Sequence, residues 1–169
     1  MIKTAILTIS DKGSKGERLD ITSVKIQEIL DPNLYYVVYK KIIPDDIEKI
    51  KKELIYLSDD LKVDLVLTNG GTGFASRDVT PEATLAVIEK QVPGIPEAMR
   101  VKSLNITPHS MLSRGIAGIR KYTLIINLPG SPKGATENLM VILPALKHGI
   151  EILKGEASEC ARNDKQEGE

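Results

Sequence analysis

An α/β fold, with helices on both faces of a mainly parallel central sheet, is predicted by three observations in the 169-residue chain. Short apolar, β-branched runs recur along it, segments of helical spacing alternate with them, and helix-start signals follow the runs. Strands that are apolar throughout, without polar alternation, need cover on both faces, and a three-layer sandwich supplies it. In such a sheet, ligands collect beyond the carboxyl ends of the strands.

The first run, Lys3 to Ile9, is a strand that leaves through Ser10-Asp11-Lys12-Gly13. Asp20 is placed to cap a helix over 21–30. A second strand, Tyr35 to Ile43, is followed by Pro44-Asp45-Asp46 at the entry of a helix over 46–58. A third, Val63 to Thr68, runs into Asn69-Gly70-Gly71-Thr72-Gly73. Thr80-Pro81 sets a capping hydroxyl before a proline at the first helical position, opening a helix over 81–90, and another helix covers 95–104. Tyr122 to Asn127 is the fourth strand. The last helix covers 134–154, with a kink or a division into two helices expected at Pro144 and an end at Gly155. One domain over 1–155 results, and the polar stretch 156–169 reads as a surface extension.

Composition narrows the function classes. Apolar residues make up 41% and charged residues 27%, the balance of an ordinary globular domain. Lys plus Arg and Asp plus Glu both number 23, so no global basic field exists to gather nucleic acid. No apolar run approaches the roughly 20 residues that span a bilayer, and the start lacks a signal-peptide pattern. Cys160 is the single cysteine and has no disulfide partner in the chain, so a reducing cytoplasm is the expected compartment. His109 and His148, the two histidines, lie far apart and do not make a zinc motif. No Gly-x-Ser-x-Gly elbow offers a nucleophile.

The chemistry-bearing segments all follow strands. Gly70, Gly71, Thr72 and Gly73 suit a phosphate cradle, because glycine lets backbone N–H groups approach an anion, and they equally suit a tight turn. Neither a Walker A loop nor a dinucleotide Gly-x-Gly-x-x-Gly fingerprint is present, which disfavours an NAD enzyme. Arg77 and Asp78 precede a helix: the arginine suits a phosphate, and the aspartate suits either a cap or Mg²⁺, which takes one or two carboxylates together with phosphate oxygens. Asp45 or Asp46 could join Asp78 at such a site or act as a first-turn acid. Ser10 and Asp11 leave the first strand at the same edge. Asn127, Gly130, Ser131 and Lys133 form a loop that suits a second anionic ligand or a simple turn, and Ser113-Arg114 adds a hydroxyl and a guanidinium.

Thr68-Asn69-Gly70-Gly71-Thr72-Gly73, Arg77-Asp78-Val79-Thr80-Pro81-Glu82-Ala83, Leu112-Ser113-Arg114 and Asn127-Leu128-Pro129-Gly130-Ser131-Pro132-Lys133 together resemble the MogA and MoaB family of molybdenum-cofactor biosynthesis proteins, which includes the gephyrin-type G domains. The resemblance runs from about Lys3 to Gly155, with Ile21-Thr22-Ser23 standing where many relatives have a glycine after the residue matching Asp20. It implies a three-layer α/β fold, a homotrimer, and transfer of AMP from Mg·ATP to molybdopterin with release of pyrophosphate. It further implies that Asp45 and Asp78 are the metal-binding and catalytic aspartates and that the glycine loop cradles the nucleotide. Ser113, Arg114 and the 127–133 loop become ligand contacts, and hand-off of the product to a molybdenum-inserting enzyme is the implied partnership. The other reading is a non-catalytic molybdopterin-binding or scaffolding paralogue.

Overall fold

The computed structural model of the chain describes residues 1–155, so the expected surface extension over 156–169, with Cys160, lies outside the described residues. Six strands form one sheet: β1 (Ile2–Ile9), β2 (Tyr35–Ile43), β3 (Leu65–Asn69), β4 (Lys90–Gln91), β5 (Ala117–Arg120) and β6 (Thr123–Leu128). Their order across it is β2-β1-β3-β6-β5-β4. The first four in that order run parallel, and the pairs β6-β5 and β5-β4 are antiparallel.

Six α-helices accompany the sheet: α1 (Asp11–Ser14), α2 (Ile21–Ile29), α3 (Ile47–Ile55), α4 (Thr80–Leu85), α5 (Gly94–Leu104) and α6 (Pro132–Lys154). On one face, α2, α5 and α6 bring Ile26, Met99, Leu139 and Leu146 against Ile6, Leu67 and Ile126. On the other, α3 and α4 bring Ile50, Leu54 and Ala83 against Leu7, Val66 and Ile125. Successive strand residues point to opposite faces, and both faces are dry, which is why Leu65, Val66 and Leu67 are all apolar. The expected three layers are present.

Side chains cap the starts of α1, α2, α3 and α6, but not those of α4 and α5. Asp20 Oδ1 accepts from the Ser23 N–H at 2.9 Å, and Asp46 Oδ1 from the Lys49 N–H at 3.0 Å. Ser131 Oγ accepts from the Gly134 N–H, so α6 begins at Pro132, ahead of the expected 134. Thr80 does not cap: Val79 holds the cap position, and the Thr80 hydroxyl donates to the Gly70 carbonyl at 2.9 Å. α4 then stops at Leu85, short of 90, because the chain turns to join the sheet edge, where the Glu89 N–H donates to Ile119 O. α3 also ends early, at Ile55, and passes into one wide turn over Tyr56–Asp60.

Of the kink or division expected at Pro144, the division does not occur, and α6 runs as one helix of 23 residues with Pro144 inside it. Pro144 and Met140, whose carbonyl loses its N–H donor, both lie on the exposed side of the helix. Gly155, at φ 73°, terminates α6 in the left-handed conformation that glycine adopts without penalty.

One buried polar residue ties β6 to its neighbours. Asn127 is 1% exposed, and its amide donates at 3.0 Å to the hydroxyls of both Thr68 on β3 and Thr84 on α4. Its oxygen accepts from the Ile116 N–H just before β5. Asn127→Leu keeps the branching at Cγ, with added bulk, but leaves these groups buried and unpartnered, so we expect a loss of about 1–3 kcal/mol or more in denaturant unfolding. Wild-type stability in that variant would refute a tie of this kind.

Candidate active site

The parallel strands deliver four loops to one edge of the sheet. Ser10 and Asp11 follow β1, Asp45 follows β2, Gly70 and Gly71 follow β3, and Gly130 and Ser131 follow β6. They enclose a cleft of about 570 Å³ whose wall includes Ser10, Asp20, Asp45, Gly71, Asp78 and Ser131. The edge is the one where an open parallel sheet places its ligands.

Steric crowding dictates the glycines. Gly70 and Gly71 have φ values of +100° and +64°, a region costly for any residue with a Cβ. A Cβ at Gly70 would run into the Ile9 carbonyl oxygen of β1. At Gly71 it would collide with the Thr80 hydroxyl and lie 3.1 Å from Asp45 Oδ1, and at Gly73 it would lie 2.9 Å from Asp78 Oδ2. The glycine turn therefore passes against both aspartates.

Those aspartates sit in different surroundings. The Asp11 N–H donates to Asp45 Oδ2 at 2.8 Å, and the Asp45 N–H donates back to Asp11 Oδ1 at 3.1 Å, which fixes the two loops to each other. Arg77 grips the Asp11 carboxylate through Nε at 3.0 Å and Nη2 at 2.8 Å and holds it below the usual carboxylate range. Burial, followed by the negative charges of Asp11 and Asp78, pushes Asp45 above that range against the opposing Asp11 N–H and Arg77. Asp78 Oδ2 accepts from the Ala75 N–H at 2.9 Å.

This donor set fits Mg²⁺ better than a metal held by protein alone. Among the described residues no cluster of three or more His, Cys, Asp or Glu side chains is poised to hold an ion. Two carboxylates beside a glycine turn match an ion that completes its shell with water and phosphate oxygens. The unfavourable negative charge around Asp45 is what a cation would offset.

The remaining expected contacts divide. Ser10 and Ser131 line the cleft while capping α1 and α6, and Gly130 lines it while accepting from the Thr22 hydroxyl at 2.9 Å. Thr72, Gly73 and Ser113 line a second, more apolar cleft of about 310 Å³ with Met99, Ile106 and Leu112, and Ser131 is shared by both. Asn127 is spent inside the core, as described above. The Lys133 side chain is 79% exposed and stands 3.9 Å from Glu137, outside both clefts. Arg77 reaches Asp11, and Arg114 reaches the Gly73 and Asp78 carbonyls.

Sequence reasoning missed a polar relay in the wall of the first cleft. Thr8 Oγ1 donates to Asp20 Oδ2 at 2.6 Å and accepts from the Asn69 amide at 2.9 Å. Arg18 lines the same cleft. Asp20 was legible as a cap, but Thr8 read as an ordinary strand residue and Asn69 as the entry to the glycine loop until β1 and β3 are placed side by side, where the two pair directly.

With this geometry in place, comparison with known proteins is direct. Residues 5–148 match the family model for molybdenum-cofactor biosynthesis proteins described as a probable molybdopterin binding domain. A molybdopterin adenylyltransferase of Helicobacter pylori is 44% identical over 156 residues, which cover 91% of this chain and 89% of the relative. Gephyrin of Dictyostelium discoideum is 45% identical over 158 residues, spanning 88% of this chain and 22% of gephyrin. The solved structure of the molybdopterin biosynthesis enzyme MoaB from Thermus thermophilus superposes with a TM-score of 0.88 at 49% identity, covering 92% of this chain and 98% of that one. The matched residues, the shared fold and the extent of identity agree, and the chain belongs to the molybdopterin-binding domain family of molybdenum-cofactor biosynthesis proteins.

Proposed function

We propose that this chain is a molybdopterin adenylyltransferase, which transfers AMP from Mg·ATP to the terminal phosphate of molybdopterin and releases pyrophosphate. The observation that carries this is the convergence of Asp45 and Asp78 on one cleft, across a glycine turn too tight for any side chain. The activity named for the Helicobacter pylori relative supports it.

The chemistry asks little covalent work of the protein. A phosphate oxygen of the pterin attacks the α-phosphorus of ATP, the bond from that phosphorus to the bridging oxygen breaks, and pyrophosphate departs. Mg²⁺, held by Asp45 and Asp78, would offset charge on the phosphates. The chain's own part is to hold two anionic ligands in line against the glycine turn and to keep the carboxylates in place. No protein nucleophile is needed, in keeping with the carboxylates and amide-rich loops at this edge.

The catalytic reading is favoured over a binding-only paralogue because the aspartate pair is present. The same proposal places the chain in the cytoplasm, and no helix among the described residues is long and apolar enough to cross a membrane. A molybdenum-inserting enzyme is the proposed consumer, since the product carries an activated phosphoanhydride. Exposed apolar residues support the homotrimer implied by resemblance: Val101 and Leu104 of α5, Ile106 in the turn after it, Met111 and Leu112 of the 3₁₀ turn Pro108–Leu112, and Met140 of α6.

The direct test incubates purified protein with molybdopterin, ATP and Mg²⁺ and measures pyrophosphate. Asp45→Asn and Asp78→Asn should each lower that rate by about 100-fold or more, the scale of losing one transition-state charge contact. Wild-type turnover in both would remove the metal assignment.

Asp45→Asn has a second expected effect, on the ligand-free protein. Its folded-state carboxyl titrates above its unfolded value, so ionising it costs stability. The cost is absent below the unfolded pKa, grows as pH rises through the folded one, and is full at neutral pH. The variant should therefore melt above wild type at pH 7, with the gap closing on acidification. A lower midpoint at pH 7 would contradict the sign of this shift.

Gly71→Val should abolish Mg·ATP binding in calorimetric titration of the folded fraction, since the side chain enters the space between Thr80 and Asp45. Unchanged affinity would reduce Gly71 to a turn residue. Sedimentation at micromolar concentration should give a trimer, and a monomer would refute the proposed assembly.

A further inference from the structure

The segment that delivers Asp78 has almost no hydrophobic anchor. Residues 74–77 are all exposed, with Phe74 at 70%, and the internal ties are two bonds between Ala75 and Asp78: the Asp78 N–H to Ala75 O, and the Ala75 N–H to Asp78 Oδ2, both 2.9 Å. A loop of this kind opens locally at little cost unless its base is fastened.

Arg114 fastens both ends of that base. Its Nε donates to Gly73 O at 2.7 Å and its Nη2 to Asp78 O at 2.6 Å, so one planar group spans the mouth of the loop. Its backbone N–H donates to Thr72 O at 2.9 Å, and its guanidinium pairs with Glu82 in the first turn of α4. The pairing holds the Glu82 carboxyl below its ordinary range. Arg114 is not part of the wall of either cleft.

We infer that Arg114 is a positioning residue, which locks the Gly73–Asp78 loop and thereby sets the Asp78 carboxylate on the cleft shared with Asp45. This rests on the proposed metal and nucleotide role of Asp78. The resemblance implied that Arg114 contacts the ligand, whereas the geometry directs its donors to main-chain carbonyls and Glu82. The fork of a guanidinium is what the task needs, because two carbonyls and a carboxylate must be met from one plane. A lysine ammonium at the same position keeps the charge and loses the span.

The test compares Arg114→Lys, Arg114→Met and the milder Glu82→Gln with wild type. Hydrogen exchange of the 73–79 amides is followed without ligand, alongside thermal midpoints and calorimetric affinity for Mg·ATP. Loss of two charge-assisted bonds should speed loop exchange about tenfold or more in both Arg114 variants, with a smaller rise in Glu82→Gln. Mg·ATP affinity should fall by a similar factor, while exchange in β1, β3 and β6 stays as in wild type. Unchanged loop exchange in Arg114→Lys with lost Mg·ATP binding would overturn the inference and return Arg114 to the ligand. Faster loop exchange with unaltered Mg·ATP affinity would also overturn it, by separating the loop from the metal. If either Arg114 variant fails to fold, Glu82→Gln decides alone, and wild-type loop exchange in it refutes the clamp. A wild-type protein that does not bind Mg·ATP, yet whose loop loosens in Arg114→Lys, would defeat the proposed function and uphold the clamp.

Discussion

The closest constraint in the molecule is the absence of any room for a Cβ where β3 leaves the sheet. Gly70 passes against the Ile9 carbonyl at the end of β1, and Gly71 against Thr80 and Asp45. Three loops that are far apart in sequence thus share one cramped corner, where close van der Waals contact acts together with the reciprocal Asp11 and Asp45 hydrogen bonds. The Thr80 hydroxyl bonded to the Gly70 carbonyl closes the corner from the α4 side, where Thr80 is the first residue of the helix and Val79 holds the cap position. The sheet supplies the platform, with β1, β3 and β6 buried on both faces.

On that platform the fold assembles negative charge at a cost to itself. Asp11, Asp45 and Asp78 lie near one another, and one arginine, Arg77, compensates chiefly one of them. The reciprocal N–H to carboxylate bonds between Asp11 and Asp45 fix the loops but leave Asp45 strained toward protonation. Such an arrangement disfavours the ionised Asp45 in the ligand-free protein, and the proposed cation would offset that charge.

Much of the fold was legible in the sequence because its signals are local. Apolar runs without alternation gave the buried parallel strands, and Asp20, Asp46 and Gly155 marked helix ends by hydrogen-bond chemistry that needs no distant partner. The antiparallel edge was not legible. β4 has two residues and is defined by its pairing with β5, and β5 carries Gly118, where a Cβ would lie 2.7 Å from the Lys90 carbonyl, and is held by pairing along its whole length with β6. The continuous course of α6 past Pro144 likewise depends on which side of the helix faces solvent, a tertiary fact. In the cleft, Asp45, Asp78 and the glycines were legible as strand-end residues, whereas the Thr8, Asp20 and Asn69 relay exists only through β1 and β3 standing side by side.

The basic residues show why a motif fixes position better than it fixes direction. Arg77, Arg114 and Lys133 all lie in segments that suit anion binding, yet Arg77 turns to Asp11, Arg114 to two carbonyls and Glu82, and Lys133 toward Glu137. A long side chain near a helix end has several acceptors within reach, and the sequence does not rank them. For the proposed reaction, phosphate recognition would then fall chiefly to parts of the cleft wall that packing holds in place, the glycine turn and the start of α6 at Ser131, with a cation on the aspartates. Arg18 lines the cleft from the loop before α2. A site built on fixed dipoles needs little reorganisation when charge shifts during phosphoryl transfer, and that rigidity is what the crowded glycine corner provides.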